Sequence, residues 1–494
     1  MRAFLLYLLF FISLETQAQL MDWGYPQKLA SKNFYCKFIG FNNGGYYYIR
    51  SKKSDFRGDI TIEKYSANLS LQWSKPIQSY KLNEIVLQVL LMQNGILIIS
   101  AEENYSSGFT EVKSLALSPE GELAAQNSHL FQVKTSAFYD DDPFERFILK
   151  VNELRNLYVV CYLMEGEKKQ AVINYNLFSE TSISIGPGGY AYNTRTDQFF
   201  INEILINNFT IYCLVSYNDI NKKNSDLEYL HDVLALNYNS KIFSRIPIVL
   251  EGKIQSDLGI CIDTLNNALK LTGFYSEKKS TSAAGIAIYT LPLDDPEHYS
   301  SGFMPFPKEL LARIIGERAS EKTREVEDFV VHRIVPRSDG GLLLIAECFY
   351  IEKQPYNSYT SGVQGITPQQ TIIRNIYNYD EIMVFSLDSM ATIDWWQVIV
   401  KNQNSVNDNG YNLSFTSLVK RDMIYIFFNL NYHNSNEIME YSINSNGKMR
   451  NKILFKSTNY YIDFAPRQSS QIATGSILMP LVKDRKFNLL KLTY

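Results

Sequence analysis

Side chains able to do acid–base or metal chemistry are few in this chain and scattered. The five histidines, His129, His231, His298, His332 and His433, show no H-x-x-x-H or H-E-x-x-H spacing, so no metal site is legible in them. Acids gather at Asp140-Asp141-Asp142 with Glu145, at Asp294-Asp295 with Glu297, and between Asp219 and Glu228. Carboxylates this dense can hold Ca²⁺. The last group lacks the glycine and spacing of a calcium loop, and solvated turns account for all three. No G-x-S-x-G elbow or P-loop is present, and Gly186-Pro187-Gly188-Gly189 precedes no helix and reads as a turn. No metal or other cofactor is implied. The most suggestive chemistry is aromatic. Between Lys353 and Tyr379 stand Tyr356, Tyr359, Tyr377 and Tyr379, interleaved with Asn357, Asn375 and Asn378. Rigid rings lose little entropy on binding and amides supply hydrogen bonds, a mixture suited to sugar or peptide recognition. These four tyrosines are the candidate ligand-binding residues.

A repeat must position them. Eight times an almost continuously apolar strand is followed by a second one that ends in a polar turn. The second strands are Asp59–Tyr65, Glu111–Leu117, Lys169–Tyr175, Asp232–Tyr238, Gly285–Leu291, Glu381–Leu387, Glu437–Ile443 and Lys486–Leu492. Turns such as Ser118-Pro119-Glu120-Gly121 and Asn444-Ser445-Asn446-Gly447 have the chemistry of tight hairpins with a left-handed glycine. Trp73 and Trp395 occupy equivalent places after the second strands of two units. Strands apolar on both sides must be covered on both faces. Neighbouring blades of a propeller do this without helices, and the spacing suits four-stranded repeats. The fold class is therefore all-β, a single propeller of eight blades over 19–494, with seven as the alternative. The last unit stops after its third strand at Tyr494, and Gly24–Ser31 is an orphan strand; pairing the two ends in one shared blade removes both free edges. One unit interval is much longer than the rest. Pro307 to about Asp328 reads as an inserted helix with Leu310, Leu311, Ile314 and Ile315 on one stripe, and the aromatic segment 353–379 as a loop rising from one face.

The bulk numbers set a compartment and exclude some partners. Arg2, the apolar run Ala3–Leu14 and Thr16-Gln17-Ala18 form a secretory signal cleaved before Gln19, which gives residues 1–18 as a signal peptide. No later run holds the ~18 apolar residues of a membrane span. A net charge of −3 offers no footprint for nucleic acid. Five cysteines without a C-x-x-C pair, three of them inside apolar strands, read as buried free thiols. Aromatic content of 14% favours pleated, half-buried surfaces over helices.

The stretch Asp339-Gly340-Gly341 through Ala346-Glu347, then Glu381-Ile382, Val384 and Leu387-Asp388, then Trp395 and Lys401-Asn402-Gln403, resembles secreted propeller-like repeat proteins of the Bacteroidetes. That resemblance implies fold and compartment, periplasmic or at the cell surface, and no activity. It also implies O-glycan attachment at Asp-Ser/Thr-apolar triplets, here at Thr264 and Ser389. The function expected is non-catalytic: binding or scaffolding of a protein or glycan partner. The alternative is a glycan-active hydrolase or lyase with acids converging at a central channel.

Overall fold

In the computed structural model the structure describes residues 19–29, 34–42, 44–56, 58–77, 83–104, 106–135, 147–207, 210–218, 229–240, 242–278, 281–358, 370–430, 437–456, 462–483 and 486–494. Residues 1–18, expected to be a signal peptide, lie outside them, as do Tyr359, His433 and the acidic groups at 140–145 and 219–228.

Each apolar strand and its successor pair antiparallel as the second and third positions of a sheet that has four strands in six blades, five in blade 6 and six in blade 8, with registers such as Ile96↔Leu117 and Ile211↔Leu236. From the centre outward, blade 1 is Tyr35–Asn42, Gly45–Ser51, Ile60–Tyr65 and Leu71–Ile77. Blades 2 to 7 follow in the same order, and blade 8 ends with Ser476–Lys483 and Lys486–Thr493. The first strands of blades 1 to 6 touch in succession, as do those of blades 7 and 8, which gathers them about one axis.

Closure is made by the amino-terminal strand Leu20–Trp23, which pairs with Lys486–Thr493 in the register Met21↔Leu492, and by Gln27–Lys28, which pairs farther along the same strand. The orphan strand anticipated at Gly24–Ser31 thus begins four residues earlier and is broken at 24–26. Eight apolar clusters fill the eight gaps between blades. Blades 1 and 2 share Tyr47, Ile62, Leu91 and Ile98; blades 8 and 1 share Leu478, Phe487, Tyr48 and Tyr65. Every second strand is thus covered on both faces.

The tryptophans and turn glycines of the repeat meet across these gaps. The Trp73 indole donates to the Pro119 carbonyl at 3.1 Å, and the Trp395 indole to Ser445 at 2.8 Å. Gly121 and Gly447, with φ of 79° and 75°, lie under those rings; a Cβ at Gly447 would sit 2.7 Å from Trp395. Trp73 and Trp395 therefore each dock on the third-to-fourth strand turn of the next blade.

Three expectations need correction. The inserted helix is shorter than 307–328. It runs Lys308–Ile315, breaks at Gly316 (φ 84°) and resumes only for Glu317–Ser320. Leu310 and Leu311 are buried between blades 5 and 6, where Phe306 stacks on Phe385. The 186–189 glycines are not a turn but lie within the outer strand of blade 3, Ser184–Arg195, where the Tyr175 ring covers Gly188 and leaves no room for a Cβ. The 353–379 insertion is mostly not a loop: the second and third strands of blade 6, Leu342–Ser358 and Gln370–Leu387, keep their ladder from Leu342↔Leu387 out to Ser358↔Gln370. All five cysteines are free, four buried and Cys261 partly exposed.

Substituting Gly447→Ala forces a side chain against Trp395 at a left-handed φ, and should cost about 1–3 kcal/mol in urea unfolding. Gly252→Ala, in a turn at φ 78° with open space around it, should cost less; equal losses would mean the tryptophan contact contributes nothing.

Candidate functional site

The blade 6 strands run on as an arm rising from one face of the ring. Side chains alternate along it. One face carries Tyr350, Glu352, Gln354 and Tyr356 opposite Asn378, Ile376 and Arg374. The other carries Phe349, Ile351 and Lys353 opposite Tyr379, Tyr377 and Asn375. A third strand, Gln403–Val406, joins the arm near its root. Tyr350, Ile351, Tyr356, Ile373 and Val406 are all exposed, so the arm concentrates apolar surface.

The candidate tyrosines divide along this arm. Tyr356 is exposed, with the Arg374 guanidinium over its ring at 3.4 Å. Tyr377 is half-buried and donates to the Asn409 side chain at 2.8 Å. Tyr379 is buried at the root, its ring tilted 34° against Phe349 and its hydroxyl accepting from Arg467 at 3.0 Å, and so packs the base instead of facing a ligand. Thr264 and Ser389 sit in tight turns of blades 5 and 6. The acids before them cap those turns: Asp263 accepts from the Asn266 amides, and Asp388 from the Met390 and Thr392 N–H groups. The acid in each triplet therefore has a local structural duty.

Beneath the arm lies a buried polar network that sequence reasoning did not assemble. Lys401 and Glu347, both 1% exposed in their side chains, form an ion pair at 2.8 Å. The Lys401 ammonium also donates to the Tyr379 carbonyl and the Gln403 side chain. Ser414 donates to the second oxygen of Glu347 at 2.5 Å, and its own N–H donates to Gln403. Gln403 and Asn429 extend the network to the carbonyls of Asn429, Asn412 and Phe464, tying blades 6, 7 and 8 together. Burial pushes the Lys401 pKa below its usual value despite the carboxylate. The Ala346-Glu347 and Lys401-x-Gln403 elements of the sequence resemblance are thus two halves of one contact.

Residues 400–415 leave the outer strand of blade 6, pass the arm, and cross to blade 1 before entering blade 7. Left-handed φ values at Asn407, Asn409, Gly410 and Ser414 make the required bends. At the far end Tyr411 inserts into the core between blades 8 and 1, where its hydroxyl accepts from the Cys36 N–H at 2.7 Å and donates to the Cys36 carbonyl at 2.9 Å. The signal was the turn-forming run Asn407-Asp408-Asn409-Gly410.

The channel wall carries the acids that proton-transfer chemistry would need. Six inner strands break register at one place, leaving residues such as Asn202, Ser256 and His332 unpaired. The residues beside these breaks stitch neighbouring blades. Glu203 accepts from the Ile260 N–H at 3.3 Å, Asp257 accepts from the Val331 N–H, and Arg333 donates to Ser417 and Gln471. Burial raises both carboxyl pKa values, and the Glu203 charge adds to the rise at Asp257. His332 keeps solvent-exposed surface while protein surrounds it densely, as on a channel wall; that crowding lowers its pKa. Ser414 lies 3.4 Å from His332 but is fully buried and committed to Glu347, which leaves it no role as a nucleophile. Among the described residues no His, Cys, Asp and Glu cluster could hold a metal, and no helix is long and apolar enough to cross a membrane.

No protein-family model and no curated protein matches the chain. Similar solved structures include the WD40 domain of SCAP from fission yeast, at 9% identity over 94% of this chain and 99% of that one, TM-score 0.36. The β-propeller domain of the Trilobed protease from Pyrococcus furiosus matches at 9% identity over 87% and 97%, TM-score 0.36. Prolyl oligopeptidase B from Galerina marginata matches at 8% identity over 92% of this chain and 56% of that one, TM-score 0.43. The fold stands on the strand order and the eight interfaces, independently of these likenesses.

Lys401→Met leaves the Glu347 carboxylate buried without its cation and should cost about 3–5 kcal/mol in denaturant unfolding. Adding Glu347→Gln to it should restore most of the loss. A single variant as stable as the parent would contradict the network described.

Proposed function

We propose that this protein is an extracytoplasmic propeller that binds or scaffolds a protein or glycan partner on the face from which the blade 6 arm rises. The observation that carries the reading is the arm itself. A paired ribbon continues well beyond the blade, anchored by a buried ion pair at its root, and presents Tyr350, Ile351, Tyr356 and Ile373 to solvent. Folding alone gives no reason to extend two strands into water and expose apolar side chains there; recognition does. The compartment rests on Arg2, the Ala3–Leu14 run and the Thr16-Gln17-Ala18 site.

The glycan-active alternative would draw on Glu203 and Asp257, the two raised carboxyls on neighbouring inner strands. Each spends an oxygen on a backbone amide of the next blade, a duty that fixes the wall and opposes proton shuttling. Binding is the better-supported reading.

Envelope extracts and a glycan array, probed with the purified protein and with a Tyr356→Ser/Ile373→Ser variant, test it. The parent should retain a specific partner, and the variant should lose it about tenfold or more, since two exposed apolar anchors are removed. Equal retention by parent and variant would remove the arm from recognition.

A further inference from the structure

Between the arm and the crossing segment lies a ledge whose hydrogen-bond donors are only partly spent. Arg467, exposed at the start of blade 8, uses Nη1 on the Tyr379 hydroxyl and the Asn409 carbonyl, both at 3.0 Å. Its Nη2 and Nε have no partner among the described residues, and no carboxylate there pairs with it. Lys401 is neutralised by Glu347, whereas Asp408 accepts, among the described residues, only from the Ser405 hydroxyl and the Gly410 N–H and keeps its charge, which a bound anion must avoid by taking the outer edge of Arg467. The Tyr379 oxygen accepts from Arg467, and its own proton has no acceptor among the described residues.

Amides line the same ledge. The Asn407 side-chain oxygen accepts from the Asn375 N–H at 2.9 Å, which points its NH₂ group elsewhere, and the Asn375 side chain has no partner among the described residues. Asn409 is fixed from two sides, accepting from Tyr377 and donating to Ser54 at 3.0 Å. The ledge is therefore rigid: it is built on a paired strand and on a turn held at left-handed φ values. A planar guanidinium with a free edge matches a carboxylate in a forked pair of hydrogen bonds. Fixed amides beside it suit hydroxyl groups, which both donate and accept.

We propose that this ledge binds the carboxylate of an acidic saccharide. The free edge of Arg467 takes the carboxylate, and the Asn375 and Asn407 amides take neighbouring hydroxyls. The inference rests on the reading that the arm face is the binding face, and it names the ligand class.

The test is direct binding of the protein to a panel of galacturonate, glucuronate and mannuronate oligomers. Carboxyl-reduced neutral counterparts and a sulfated oligosaccharide complete the panel. At least one uronate oligomer should bind, and both carboxyl reduction and Arg467→Gln should weaken it about tenfold or more, the worth of a hydrogen bond to a charged group. Arg467→Lys, which keeps the charge and loses the fork, should fall between parent and Arg467→Gln. Because Arg467 is exposed and outside the apolar cores, unchanged unfolding midpoints in both variants will separate lost binding from lost folding. Failure of every uronate oligomer to bind, equal binding of reduced and acidic forms, preference for the sulfated oligomer, or indifference to Arg467→Gln overturns the proposal. If partner capture still depends on Tyr356 and Ile373 in that event, the ligand class falls and the binding role of the arm stands. If capture is also indifferent to the arm, both fall.

Discussion

Strands apolar on both faces cannot end a structure; each needs a neighbour on either side. Repeated eight times, that demand is met only when the last blade finds the first, and the arrangement of this protein follows from it. The gap between blades 8 and 1 is filled like the other seven, by Leu478 and Phe487 against Tyr48 and Tyr65. The outer position of blade 8 is taken by Leu20–Trp23, a strand from the opposite end of the chain. Tyr411 reinforces the seam from a third place, reaching the same core from the connection between blades 6 and 7. The seam joins the two ends of the chain, so its contacts must also offset the entropy of closing the whole ring.

Closure also explains where rigid and functional features sit. Polar stitches between inner strands, from Glu203, Asp257 and Arg333, fix the channel wall by bonding each blade to the next. Buried charges are costly unless paired, and the deepest pair, Lys401 with Glu347, stands where the arm leaves the ring. A projecting ribbon needs such a root, because exposed hydrogen bonds alone would let it fray. The crossing segment braces the ribbon from its other side through Asn407 and Asn409.

The parts of this architecture that depend on local pattern were legible in the residues. All eight second-to-third strand pairs could be read, because continuous apolar runs and Gly-bearing turns are local signals. Closure followed from counting edges. What pattern could not show was anything set by a contact between distant residues. Glu347 and Lys401 looked like features of two separate strands; their buried pairing exists only once blade 6 is assembled. Tyr379 resembled its neighbours Tyr356 and Tyr377, yet lies one rung inside the solvent boundary, a distinction set by the crossing segment. Polar Asn, Gln, Ser and Thr in the arm suggest a loop, whereas a ribbon wet on both faces needs no apolar alternation. The glycines at 186–189 misled for a related reason: an outer strand tolerates missing side chains when a ring such as Tyr175 covers the gap.

The account depends most on the ring being shut by its first strand, and cysteines placed at Asp22 and Lys491 report on that directly, since these residues face each other across the closing pair. Under mild oxidation the double variant should form an intramolecular bridge, detected by intact mass, and unfold at a higher temperature than its reduced form. Monomer that stays unbridged, or bridges that form only between two molecules, would show that the ends of the chain do not share a blade.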